Sequence, residues 1–98
     1  MERLPPEKMR LRILRILEAG RSQPVRDGLI LQVLYERQLG VTLQSIRGHL
    51  DWLRSQNLIT LERRGGDWQA QIAELGIAVI TSAIEPPDGL ADPKGGSS

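Results

Sequence analysis

The sequence contains no cysteine and no phenylalanine. Without thiols, a disulfide framework and a thiolate metal site are both excluded, and the compartment cannot be read from redox chemistry. Aromatic residues are 3% of the chain, namely Trp52, Trp68 and Tyr35. Stacking platforms for single-stranded nucleic acid need several exposed aromatics, so that mode is disfavoured. No apolar run approaches the roughly 20 residues of a membrane span, and the opening residues lack the apolar core of a signal peptide. A cytoplasmic location is the default expectation. A strong charge of one sign is missing too. The 13 Lys and Arg against 12 Asp and Glu leave a net charge of +1, too little for the whole-molecule field to draw in a polyanion. Catalysis finds no footing, because a single histidine, no glycine-rich phosphate loop and no clustered carboxylates leave no nucleophile, base or metal site to assign. No enzyme activity, cofactor or metal is therefore expected.

What is present suffices for one core. With 98 residues, 40% of them hydrophobic and mostly Leu, Ile and Val, the chain fits one domain and not two. Its charge is uneven. Residues 1–21 hold six cations (Arg3, Lys8, Arg10, Arg12, Arg15, Arg21) against three glutamates, whereas the segment from Glu85 is acidic.

Pro5-Pro6-Glu7 suits a helix start, since proline fits the first turn and a carboxylate faces the positive end of the dipole. Met9, Ile13, Leu14, Ile16 and Leu17 follow at helical spacing, and Gly20 marks the stop, predicting a helix to Ala19. Lys8, Arg12 and Arg15 form one row at i, i+4 and i+7, which a solvated helix face also explains. Val25, Leu29, Ile30, Val33 and Leu34 predict a second helix ending at Leu39-Gly40. Thr42 then stands as an N-cap before Ile46, Leu50 and Leu53, which predict a third helix over about residues 43–56. The short connection between these two helices is that of a helix-turn-helix.

Beyond it the period changes from 3.6 to 2. Leu58 to Arg63 and Trp68 to Ile72 alternate around Gly65-Gly66, a tight hairpin turn. With the two glycines at its centre, Arg63 faces Trp68, Leu61 faces Ala70 and Ile59 faces Ile72. A last helix over about residues 75–84 is apolar on more than one side, so Ile77, Val79, Ile80 and Ile84 are candidates for dimerisation. The breaker-rich stretch over residues 85–98 is expected to be a disordered acidic and Gly-Ser tail, leaving residues 1–84 as the domain.

The fold class expected is mainly α with a two-stranded β wing, a winged helix-turn-helix. Its third helix enters the DNA major groove and its wing reaches backbone or minor groove. With Ile46, Leu50 and Leu53 inward, Gln44, Gly48, Asp51 and Ser55 point outermost, flanked by Arg47 and Arg54 on one side and by Ser45 and Trp52 on the other. Gln44, Ser45 and Arg47 are the candidate base readers, because Arg pairs with guanine and Gln with adenine in bidentate fashion. Gly48 permits close approach, and Thr42 with the helix N-terminus suits a phosphate. Arg54, Arg63 and Arg64 are further candidate contacts. His49 falls beside the apolar stripe, which favours a half-buried, hydrogen-bonded structural role. Asp51 counts against an anion-binding face unless it accepts from cytosine or pairs with Arg47 or Arg54. Trp68 is expected to cover the wing or stack on Arg63.

From Lys8 to Ile84 the chain also carries Leu11-Arg12-Ile13-Leu14-Arg15-Ile16-Leu17, then Ile46-Arg47-Gly48-His49-Leu50-Asp51-Trp52-Leu53 followed by Leu58-Ile59-Thr60-Leu61-Glu62, and the Gly65-Gly66 turn. In these it resembles a family of small ArsR-like winged helix proteins of Mu-like transposable phages and prophages. That family usually opens its last helix with Thr-Glu-x-Gly, where this chain has Ala73-Glu74-Leu75-Gly76. The resemblance implies a phage or prophage transcriptional regulator in the host cytoplasm. Metal sensing does not carry over, since the required Cys or His clusters are missing. The expectation is thus a homodimer on double-stranded DNA. The alternative is a winged helix module that binds a phage or host protein in assembly, packaging or inhibition.

Overall fold

The computed structural model describes residues 4–37 and 39–94. Its elements are α1 (Pro6–Ala19), β1 (Val25–Arg26), α2 (Asp27–Glu36), α3 (Leu43–Ser55), β2 (Ile59–Arg64), β3 (Asp67–Ile72) and α4 (Glu74–Ile80). Among the described residues they form four helices and one antiparallel three-stranded sheet of order β1-β3-β2. Pro6 opens α1 with Glu7 in its first turn, as the dipole favours. The core joins Ile13, Leu14 and Leu17 of α1, Ile30 and Leu34 of α2, and Ile46, Leu50 and Leu53 of α3. Leu58, Ala70 and Val79 close it from the hairpin side, all of these at most 1% exposed.

The hairpin has the expected register, with Arg63 opposite Trp68, Leu61 opposite Ala70 and Ile59 opposite Ile72. Gly65 supplies the one positive φ of its turn, 53°.

Three features differ from expectation. Val25 does not begin the second helix. It pairs with Ala70 as an edge strand, so the wing sheet has three strands and not two. A two-residue strand leaves no alternation to read, and Val25 lies at helical spacing from Leu29 by coincidence. The inward stripe of α2 is Asp27, Ile30 and Leu34, leaving Leu29 half exposed, and the helix stops at Glu36, before Leu39-Gly40.

Next, α4 ends at Ile80 rather than Ile84. The Thr81 hydroxyl donates to the Ile77 carbonyl, Ser82 turns left-handed at φ 64°, and the Ala83 N–H reaches back to the Ala78 carbonyl. α4 also packs very closely, since a Cβ on Gly76 would sit 2.3 Å from the Leu58 carbonyl oxygen.

Finally, residues 85–94 are not a free tail. Leu90 is 6% exposed within the core, the Ala91 N–H donates to the Glu7 carbonyl, and Arg10 and Arg15 donate to the carbonyls of Gly89 and Pro93. One buried leucine and three anchoring bonds hold a segment whose composition alone reads as disorder. Residues 95–98 of the expected tail lie outside the described residues. No helix among the described residues is long and apolar enough to cross a membrane.

Candidate functional site

The third helix starts as its sequence dictates. Thr42 is extended, and its hydroxyl oxygen accepts the Ser45 N–H at 3.1 Å, satisfying one of the free donors of the first turn. The buried row Ile46, Leu50 and Leu53 fixes the rotation of α3 and leaves Gln44, Ser45, Gly48, Arg54 and Ser55 exposed. Around Gly48 the surface is open, since a Cβ there would meet nothing within 4 Å.

Arg47 makes contacts within the chain that its place on the helix flank did not foretell. Its Nε donates to Asp27 Oδ2 at 2.6 Å, its Nη2 donates to the Gly66 carbonyl at 2.5 Å, and its guanidinium lies 5.1 Å from the centre of the Trp68 ring. The Asp27 side chain is 3% exposed and that of Arg47 27%. A carboxylate so buried needs a counter-charge, and Arg47 supplies it. Arg47 is therefore a clamp that joins α2, α3 and the hairpin turn, with its Nε and Nη2 engaged within the chain.

A second clamp lies beside it. Arg63 packs 4.8 Å from the centre of the same Trp68 ring and pairs with Asp51 of α3. The expectation paired Asp51 with Arg47 or Arg54 along its own helix. Instead the partner comes from the hairpin, and the carboxylate that stood against an anion-binding face is neutralised. Arg64 pairs with Glu62 at 3.3 Å on the exposed side of the hairpin. Arg54 has no carboxylate partner among the described residues. The structure thus leaves Gln44, Ser45 and Gly48 exposed together toward the N-terminal end of α3, with Thr42 at its head, Arg54 exposed in its last turn and Arg63 reaching it through Asp51; Arg64 lies on the other face of the hairpin, against Glu62.

His49 is half-buried and accepts a long hydrogen bond at Nδ1 from Arg10 Nε, 3.4 Å away. Burial, and secondarily the Arg10 cation, pushes its pKa below the ordinary histidine value. Both effects favour neutral imidazole, the form that can accept this bond. Arg10 also stacks 4.3 Å over Trp52 and donates to the Gly89 carbonyl at 2.9 Å, so α1 holds both α3 and the C-terminal strap.

The four residues expected to form a dimer surface separate. Val79 is 1% exposed in the core of its own chain, and Ile77 and Ile80 pack against that core half-buried. Ile84 remains exposed at 42%, near Leu75 at 41% in exposure. The apolar excess read around the last helix is mostly consumed within its own chain, where α4 packs chiefly against α1 and Gly76 closes on Leu58 and Ile72, a demand that a helical wheel drawn for one buried side omits.

Sequence reasoning passed over Asp27. The available signal was a charged residue on the same inward stripe as Ile30 and Leu34, which marks a buried ion pair. It also missed Arg37, which the fold sets beside Arg12 and Arg15. Among the described residues no three His, Asp or Glu side chains gather as a metal site would require. Comparison with family models, with curated proteins and with solved structures gives no match to this chain.

Proposed function

We propose that the domain is a winged helix that binds double-stranded DNA, with α3 in the major groove and the β2–β3 hairpin against the flanking backbone. The carrying observation is the open face of α3. Gln44, Ser45 and Gly48 present a small, polar, uncluttered surface at the N-terminal end of the helix, where base edges are met. The capped N-terminus with Thr42 favours a phosphate. Arg54 is exposed in the last turn of α3, Arg63 reaches the helix through Asp51, and Arg64 follows it at the hairpin tip on the other face. The pairs Arg63–Asp51 and Arg64–Glu62 are exposed on both sides. Such surface pairs are worth about 0–1 kcal/mol, so a phosphate can compete for either arginine. In this reading Gln44 and Ser45 read bases, the three arginines contact backbone, and Arg47 with Asp27 fixes the angle between helix and wing. The expected transcriptional role and homodimer belong to the same proposal, with Leu75 and Ile84 as the exposed apolar contribution of each copy.

One observation favours the second reading, a protein-binding module. The cations nearest α3 are largely neutralised by Asp27, Asp51 and Glu62, which lowers the non-specific attraction to DNA. The test is binding of purified protein to duplex fragments from its own genomic neighbourhood, followed by fluorescence anisotropy. One fragment bound tightly, and more weakly by Gly48→Gln, supports the proposal. Equal weak binding to every fragment by both proteins contradicts it.

A further inference from the structure

A second surface, which shares no residue with α3 or the hairpin, has the opposite electrostatic character. Arg12, Arg15, Ile16 and Ala19 of α1 face Val33 of α2 and Arg37 just beyond it, around an open groove of about 460 Å³. Ile16, Ala19 and Val33 make its floor, and every polar side chain lining it is a guanidinium. No acidic residue lines it, and none of the three arginines has an ion-pair partner among the described residues; Arg15 donates only to the Pro93 carbonyl at 2.6 Å. Arg12 to Ala19 spans two helical turns, about 10 Å of α1.

We propose that this groove docks an acidic amphipathic helix of a partner protein, whose apolar side chains seat on Ile16, Ala19 and Val33 while its carboxylates pair with Arg12, Arg15 and Arg37. An apolar floor edged by cations is complementary to a helix with leucine-like residues at i, i+3/i+4 and i+7 flanked by acids. A second copy of the same face is disfavoured, because symmetric pairing would set the three arginines against their own counterparts. A nucleic acid backbone would use the cations and leave the floor wet. The chain lays its own acidic segment beside this groove, held through backbone carbonyls and not through its carboxylates. Its strap, with Glu85, Asp88 and Asp92 around the buried Leu90, lies along α1 and is anchored by Arg10 and Arg15.

The experiment uses the full chain and two fluorescent synthetic helices of about five turns with one leucine pattern, flanked by Glu in one and by Lys in the other. The Glu peptide is expected to bind at micromolar concentration, the Lys peptide at least tenfold more weakly. The Arg12→Ala/Arg37→Ala protein is expected to lose about tenfold in affinity for the Glu peptide while keeping its melting temperature. As a second variant, Val33→Gln tests the floor without touching charge and is expected to weaken binding severalfold. Equal binding of both peptides, undiminished binding by the arginine variant, or no binding by the folded wild-type chain would overturn the proposal. So would a groove occupied instead by anionic phosphatidylserine vesicles or by a second copy, seen as vesicle sedimentation or doubled mass that the arginine variant abolishes while the Glu peptide fails to bind.

Discussion

The arginines around α3 and those around the α1–α2 groove are one residue type in two electrostatic settings. Arg47, Arg63 and Arg64 each have a carboxylate, one of them the buried Asp27, and two of them also stack on Trp68. Arg12, Arg15 and Arg37 have no such partner among the described residues. In the first region positive charge is spent on geometry, fixing the hairpin against two helices so that a small polar face stands open. In the second, charge is left for something else to neutralise. Counting arginines in a sequence therefore says little about where an anion binds until their partners are known.

The largest expected effect separates the regions by stability. Arg47→Ala leaves Asp27 buried without its cation and is expected to destabilise by about 3 kcal/mol, at the low end for such pairs because Arg47 keeps some solvent. Arg12→Ala and Arg37→Ala are expected to stay within about 0.5 kcal/mol of wild type. Urea unfolding measures all three, and equal losses would erase the distinction between clamp and open cation.

Gly89→Ala comes next. Gly89 has φ 98°, and a Cβ there would lie 2.6 Å from the Trp52 ring, so the strap must shift. A loss of about 1–3 kcal/mol is expected, with altered Trp52 fluorescence. No change in either would mean that residues 85–94 contribute nothing to the fold. Gly48→Ala goes the other way. Its Cβ meets open space on a helix interior, so a gain of roughly 0.5–1 kcal/mol is expected in the same urea assay.

The smallest expected effect is that of pH. The native state holds His49 neutral, while the unfolded chain takes up a proton near the ordinary value of 6.5. Stability on this account is complete above that value and declines as the pH falls through the lower native pKa. Thermal melts between about pH 7 and pH 5 should show the decline, and His49→Gln should flatten it.

The period-3.6 and period-2 patterns made α1, α3 and the hairpin legible, down to the register of Arg63 against Trp68, because each has a single buried face. Thr42 was legible as a cap for the same local reason. What was not legible depended on distant partners. Val25 becomes a strand only because β3 offers a free edge. Residues 85–94 order because Leu90 finds the core and Arg10 finds the Gly89 carbonyl. The contacts of Arg47 turn on Asp27, twenty residues away, whereas helical geometry alone set it on the flank of α3 with Arg54. On α3 the exposure of Gln44, Ser45 and Gly48 was legible from helical spacing, and the partners of Arg47 were not.

The most direct test of the central claim is fluorescence anisotropy of the chain on a duplex, across a salt series, for wild type, Arg54→Ala and Arg12→Ala/Arg37→Ala. DNA binding through α3 and the hairpin should give an affinity that falls steeply with salt. That slope should become shallower by about one for Arg54→Ala and stay unchanged for the groove variant. No binding above the non-specific level at low salt, or a slope that changes with the groove variant and not with Arg54→Ala, would contradict the account.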